Sequence, residues 1–517
     1  MEALSHDFVL AGDGRSPLDV VRAALAPRYA VVPGGRPRTV RHTWLDTFDW
    51  RLHGAGLTLE HAAGSGFSEY TLTDADGERI TAGTSRIRWP ALASALPPGP
   101  LRARLEPVSW VRALMPVARA ASTIRQWRVL NTDDKTIAWL TVNQPSPAGQ
   151  DAAGLPPRLS VTAVRGYQAQ TDKIIRCLAG TPGVAPAELS LRDSALAAIG
   201  RRPGDYTSKV DVHLTAEMPA RAAMAAVLLR LLDTLEANVA GTVRDIDSEF
   251  LHDLRVSVRR TRSAIKLCGD ALPAGLAEKF RDEFKWLGDV TTPVRDLDVY
   301  LLNYPAMAAG LESATPPELA PFAEHLARRR TLERRQLTRA LRSARFAVLT
   351  DAWRGALSER APARKGRTAA RLAAERIRRA HRRVLRDGAA ITADSPPESL
   401  HDLRKRCKEL RYLLEFFASL HDPAIHRQAV RDLKGLQDCL GTYQDCQVQQ
   451  HEIRMFATQM MQEQQVPVTA LLAMGELAGQ IARRERRARG EFGGRFADFA
   501  SAANQQRFRA LTTDAGR

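Results

Sequence analysis

Two stretches decide how this chain is read: "LHDLRVSVRRTR" at Leu251–Arg262 and "LHDLRKRCKELR" at Leu400–Arg411. Each sets a histidine before a row of cations, and the spacing predicts a helix in both. At about 100° per residue, His252, Arg255, Arg259 and Arg262 fall in a sector roughly 80° wide. His401, Arg404, Lys408 and Arg411 do the same. An apolar stripe adjoins each row: Leu251, Leu254, Val258 and Ile265 in the first copy, Leu400, Leu403, Cys407 and Leu410 in the second. Such a stripe fixes a helix against its neighbours, so the cationic row is held in one direction. From His252 to Arg262 the row runs about 15 Å, a length suited to a linear polyanion. Arginine supplies fixed forked donors, lysine a mobile charge and histidine an adjustable one. Cations at this spacing repel one another unless something anionic lies along them. Asp253, Asp296, Asp298, Asp402 and Asp445 could neutralise them from within, and that is the competing reading.

The repetition favours a ligand. His252 and His401 stand 149 residues apart, and the same offset aligns Asp296 with Asp445, Lys285 with Lys434, Leu287 with Leu436 and Asp289 with Asp438. An ungapped register over more than forty residues predicts two copies of one helical unit, related by a pseudo-two-fold.

At 517 residues the chain is too long for one core, which predicts more than one domain. Its 75 Lys and Arg against 58 Asp and Glu give a net charge of +17. Residues 201–517 hold 53 basic and 40 acidic residues, whereas residues 1–200 hold 22 and 18. The excess points to a polyanionic partner and places it in the C-terminal part. Five cysteines form no C-x-x-C pair and no metal-ligand spacing, so reduced, buried thiols in the cytoplasm are expected. "MEALSHDFVL" has no basic n-region, so no signal peptide is expected. The apolar run Ala222–Ala240 is broken by Arg230, Asp233 and Glu236 and predicts an amphipathic helix, not a membrane span.

Residues 1–180 predict mixed α and β structure. "YTLTDADGERIT" at Tyr70–Thr81 is a hairpin signal. Thr136–Asn143 and Arg158–Tyr167 are β-like around a Pro/Gly loop near Pro145–Pro157, and Gly180–Gly204 is expected to be a linker. From about Ser208 onward the apolar residues recur at helical spacing. Ser395 is the expected N-cap of the second LHDLR helix, with breaks near Ala314–Pro317 and Ala361–Gly366. Arg376, Arg379 and Arg383, on an Arg-dense segment, are added to the anion path.

Both LHDLR segments, with "RDLDV" and "LQDCLGTYQD" after them, resemble the CHAD family, named for conserved histidines on an α-helical domain. The likeness covers roughly Ser208 to Phe499. It implies two pseudo-symmetric four-helix bundles (residues about 205–350 and 351–500) that bind inorganic polyphosphate in a basic groove or pore between them. By this resemblance His252, Arg255, Arg259, Arg262, His401, Arg404, Lys408 and Arg411 contact the anion. Thr261 and Glu409 stand where more cationic versions are common.

CHAD domains often follow a CYTH domain, an antiparallel β-barrel or tunnel that holds triphosphate. Residues 1–200 look like a degenerate α+β copy: "WLDTFDWRLHGAGLTLE" (Trp44–Glu60) is similar to one CYTH segment and "LSVTAVRGY" (Leu159–Tyr167) to another. The active family has E-x-E-x-K on its first strand; here "SHDFVLA" offers only Asp7. Glu60-His61-Ala62 replaces an Arg-x-Arg, and Leu159-Ser160-Val161-Thr162 replaces "LELE". Arg86, Arg88, Arg102, Arg104, Arg125 and Lys135 remain as cations. A metal site without its carboxylates gathers no divalent ion, so hydrolysis is not expected.

No phosphate-loop or dinucleotide motif appears, "HEIRM" lacks its second histidine, and no short-range nucleophile–base pair is evident. The expectation is a cytoplasmic, non-enzymatic polyphosphate binder without cofactor or metal, with granule association open. The rival readings are a metal-dependent tunnel triphosphatase and a nucleic-acid or storage-granule binder. Sparse aromatics among the basic residues weigh against base stacking.

Overall fold

The computed structural model describes residues 5–11, 16–83, 87–145, 155–359, 366–463 and 466–513. The chain forms two compact units, Met1–Thr207 and Ser208–Arg517. Arg86, most of the loop near Pro145–Pro157 and nearly all of the break at Ala361–Gly366 lie outside the described residues.

The first unit runs β1 (Ser5–Leu10), α1 (Pro17–Leu25), β2 (Ala30–Pro33), β3 (Arg38–Thr47), α2 (Arg51–Gly54), β4 (Thr58–Gly64), β5 (Phe67–Thr73), β6 (Arg79–Gly83), α3 (Pro100–Ser109), β7 (Leu114–Leu130), β8 (Thr136–Pro145), β9 (Arg158–Ala163), α4 (Gln168–Ala179), β10 (Val184–Pro186) and α5 (Leu191–Ala198). The strands make one antiparallel sheet in the order β10-β1-β9-β8-β7-β3-β4-β5-β6, with β2 also on β7. The hairpin forms where the sequence places it. β5 and β6 pair from Glu69↔Gly83 to Thr73↔Arg79, and Asp74 Oδ1 accepts from the Asp76 and Glu78 amides across the turn. Gly77, at φ +87°, takes the left-handed position that only glycine adopts without strain. Phe8, Val129, Leu140 and Leu159 on the sheet pack with Val21, Leu25, Ile174 and Leu178 of α1 and α4. Gly180–Gly204 is not a linker: β10 pairs with β1, and α5 buries Ala195 and Leu196 against Trp44 and Ala118. Those short apolar positions sit among glycines and prolines, which hid them.

The second unit is helical: α6 (Ala220–Arg244), α7 (Ser248–Cys268), α8 (Leu276–Ala309), α9 (Pro316–Leu341), α10 (Ala344–Ser358), α11 (Ala369–Ala389), α12 (Pro397–Phe416), α13 (Pro423–Gln462), α14 (Val468–Phe499) and α15 (Ala502–Thr513). The offset of 149 lays α7 on α12 and α8 on α13, and the order matches helix for helix. Each half is thus four long helices and a short fifth, one more than expected. Predicted apolar stripes are core: Leu251, Leu254, Val258, Ile265, Leu400, Leu403, Cys407 and Leu410 are all buried and share one cluster across both halves.

Asp247 caps α7, its carboxylate accepting from the Glu249 and Phe250 amides. α12 starts one residue later than predicted. Pro396 is its N-cap, and Ser395 Oγ instead accepts from the Thr392 amide at 2.9 Å. No described helix is long and apolar enough to cross a membrane. All five cysteines are free, and burial pushes the Cys268 and Cys407 thiols up to about 12.

Candidate functional site

α7 and α12 pack against each other, and two ion pairs join them: Arg260–Glu415 at 2.7 Å and Lys266–Glu409 at 2.6 Å. With the offset of 149, Arg260 is the counterpart of Glu409 and Lys266 that of Glu415. Each bridge therefore joins one position in the first copy to the other position in the second. Such reciprocity is what a two-fold between the helices produces. Here the charges have become complementary, cations on α7 and acids on α12.

Along this seam lie cavities of about 690, 340 and 550 Å³. His252, Arg259 and Arg404 line both the first and the second; Arg259, Lys408 and Tyr412 line both the second and the third. The shared walls make one path. His252 and His401 both face the largest cavity, so the two stripes converge rather than diverge. A fourth cavity of about 160 Å³ is lined by Arg376, Arg379 and Arg383 and adjoins the path through Lys266 and Glu409.

The cations of the path differ in their freedom. Arg255 donates to Thr292 Oγ1 at 2.5 Å and to the Gly288 carbonyl at 3.3 Å; burial drags its guanidinium down to about 10 despite the pull of Asp296. Arg259 and Arg262 are exposed and, among the described residues, engage no ion pair or hydrogen bond. Arg404 pairs with Asp445 at 3.0 Å, and Arg411 with Glu415 at 2.9 Å. Lys408, half-buried, makes no ion pair among the described residues; burial and the cations Arg404 and Arg259 push it down to about 8. His401 Nδ1 donates to Gln444 Oε1 at 2.6 Å, which leaves Nε2 as the ring atom available to a ligand. Arg376 is held by Asp270, while Arg379 and Arg383 make no ion pair among the described residues.

The expectation of two unneutralised rows therefore needs correction in the second copy, where Asp445 and Glu415 hold two of the cations. Sequence reasoning also missed Arg295 and Arg484 in the largest cavity and Arg281, Lys285 and Tyr412 in the outermost. Only Lys285 carried a signal, through its alignment with Lys434. Asp253 and Glu409 are buried; Glu409 serves the α7–α12 bridge, and Thr261 is core. Asp298 holds Arg330 of α9, outside the path.

The residues of the first unit do not fit the divalent ion that an active tunnel needs. Asp7 is the sole carboxylate on β1, and no three described His, Cys, Asp or Glu residues are grouped to hold a metal. Of its remaining cations, Arg102 pairs with Glu106 at 2.7 Å and Arg125 donates to Gln144, while Arg88, Arg104 and Lys135 are exposed. The strands do assemble a relay that sequence spacing could not show. His42 Nδ1 lies 2.5 Å from Glu60 Oε1, and Nε2 lies 3.1 Å from Ser122 Oγ. Ser122 is fully buried, so the network satisfies polar groups in the sheet rather than meeting a substrate.

Residues 226–454 match the family model described as the CHAD domain. An uncharacterized protein of Mycobacterium tuberculosis is 32% identical over 216 residues, which cover 40% of this chain and 40% of that protein. The match thus spans about 40% of the relative's length. Among solved structures, the CHAD domain from the plant Ricinus communis is 27% identical with a TM-score of 0.49, covering 56% of this chain and 96% of that one. PptA from Streptomyces chartreusis is 17% identical with a TM-score of 0.44, covering 54% and 99%. A Hippeastrum protein with a dominant triphosphatase activity is 12% identical with a TM-score of 0.28, covering 40% and 100%. The chain carries a CHAD domain at residues 226–454, with both LHDLR helices inside it.

Proposed function

We propose that the helical unit binds inorganic polyphosphate, laid along the path between α7 and α12, without chemistry on the ligand. One observation carries the reading: both cationic rows line a single chain of connected cavities, and Arg259, Arg262 and Lys408 pair with no carboxylate among the described residues. A run of cations without counter-ions stores repulsion that a polyanion relieves. The partner in the cell is then free polyphosphate or polyphosphate-bearing granules in the cytoplasm.

Binding of short and long polyphosphate tests this by calorimetry. Long chains that span the path bind tighter, affinity falls steeply with salt by analogy with counter-ion release, and R255E/R404E abolishes most of it. Equal affinity for a two-phosphate and a long chain sinks the reading. Preference for RNA in direct competition would replace it with nucleic-acid binding. Metal-dependent phosphate release from triphosphate would revive the enzyme reading.

A further inference from the structure

The offset of 149 makes Arg259 and Lys408 counterparts, and both line the second and third cavities, at the middle of the path. One charge is permanent and the other titrates. On its own helix Lys408 has Arg404 and Arg411 along the same stripe, with Lys405 and Glu409 beside it. Facing the same cavities from α7 are His252, Asp253, Arg259, Arg260, Arg262 and Lys266, with Arg255 also close enough to act on its charge. Arg281, Asp282 and Lys285 come from α8, and Asp445 from α13.

Nearly every acid near it is already engaged. Glu409 holds Lys266 and Arg406, Glu415 holds Arg260 and Arg411, and Asp445 holds Arg404. Asp253 lines the second cavity but is itself buried, and Asp282 is exposed in the third. The middle of the path is therefore a place where an ammonium is crowded by cations, with only the already engaged Asp445 pulling its charge the other way among the groups that act on it.

We propose that polyanion binding in this path is coupled to the uptake of one proton from solvent, received by the Lys408 amine. The inference rests on the polyphosphate reading and adds its regulation. Burial, Arg404 and Arg259 hold the amine down at about 8. The negative charge of a phosphate oxygen beside it outweighs both effects, so the bound state holds the ammonium well above pH 8. Linkage then fixes the sign. The bound state carries more protons, so affinity is full below pH 8 and falls as pH rises through it, by about tenfold between pH 7 and pH 9.

Calorimetry of long-chain polyphosphate binding in two buffers of different ionisation heat at pH 8 reads the protons directly. Wild type takes up about half a proton at that pH. K408R, which keeps the charge but does not titrate, takes up almost none, and its affinity changes less than twofold from pH 7 to pH 9. Binding by wild type without proton uptake, or uptake undiminished in K408R, overturns the proposal while the polyphosphate reading stands. Absence of binding at every pH overturns both.

Discussion

α7 and α12 carry one motif, yet they leave their cations in different states. Arg255 reaches Thr291 and Thr292 of α8, neutral acceptors. The counterparts of these threonines on α13 are Leu440 and Gly441, which offer no side-chain acceptor, and Arg404 pairs with Asp445 instead. Asp296, the counterpart of Asp445, makes no ion pair among the described residues, and burial raises its pKa. Arg262 lies where a Cβ on Gly288 would approach its Nη1 to 2.8 Å, whereas Gln437, the counterpart of Gly288, stands 3.4 Å from Arg411. Duplication kept the row of charges but not its neighbours. Arg255, Arg259 and Arg262 of the first copy make no ion pair among the described residues, whereas the second ties Arg404 and Arg411 to Asp445 and Glu415.

The largest effect should come from breaking the complementary seam. R260E/K266E sets four acids against one another where two bridges stood. A stability loss of about 3 kcal/mol or more is expected in urea denaturation, because Arg260 and Glu415 are mostly buried. Adding E409K/E415R restores opposite charges and should recover most of that loss. Failure of the rescue would mean the seam is held by shape alone.

Next is the contrast in ligand contact. R259A removes an unengaged guanidinium and should weaken polyphosphate binding about tenfold, as loss of one charge-assisted contact does. R404A should cost about threefold less, since Asp445 already neutralises that arginine. Equal losses in a titration of both variants would erase the distinction between the copies. D445N should tighten binding about twofold by releasing Arg404.

A smaller difference concerns acid. His381 on α11 stacks on Phe508 of α15 at 4.0 Å, and burial depresses its pKa from 6.5 to about 4. The unfolded chain takes the proton first, so this histidine's contribution is whole above pH 6.5 and is lost as pH falls toward 4. H381L should flatten thermal stability across that window relative to wild type. An unchanged pH profile would assign the acid sensitivity elsewhere. α6 and α10, the counterparts of α11 and α15, carry no histidine, so this stack belongs to the second half alone.

The helical unit was legible because its signals are local and periodic. A stripe at helical spacing survives whatever packs against it, and the repeat supplied the pairing of the halves. The start of α12 slipped by one residue because Ser395, Pro396 and Pro397 all fit a helix entrance, and only the backbone chooses among them. β10 and α5 were missed because three and eight residues amid glycines and prolines carry too little pattern. The His42–Glu60–Ser122 relay was illegible for another reason. Its members come from β3, β4 and β7, joined only by strand register.

The sequence by itself determined two helices with one cationic and one apolar face, repeated at a fixed offset, because side-chain direction along a helix follows from residue spacing. The tertiary structure decided which charges find a carboxylate partner and which do not. That choice depends on what stands opposite each guanidinium: a threonine or a carboxylate, a glycine or a glutamine. These partners lie tens of residues away in the chain, and only packing brings them within reach of a hydrogen bond.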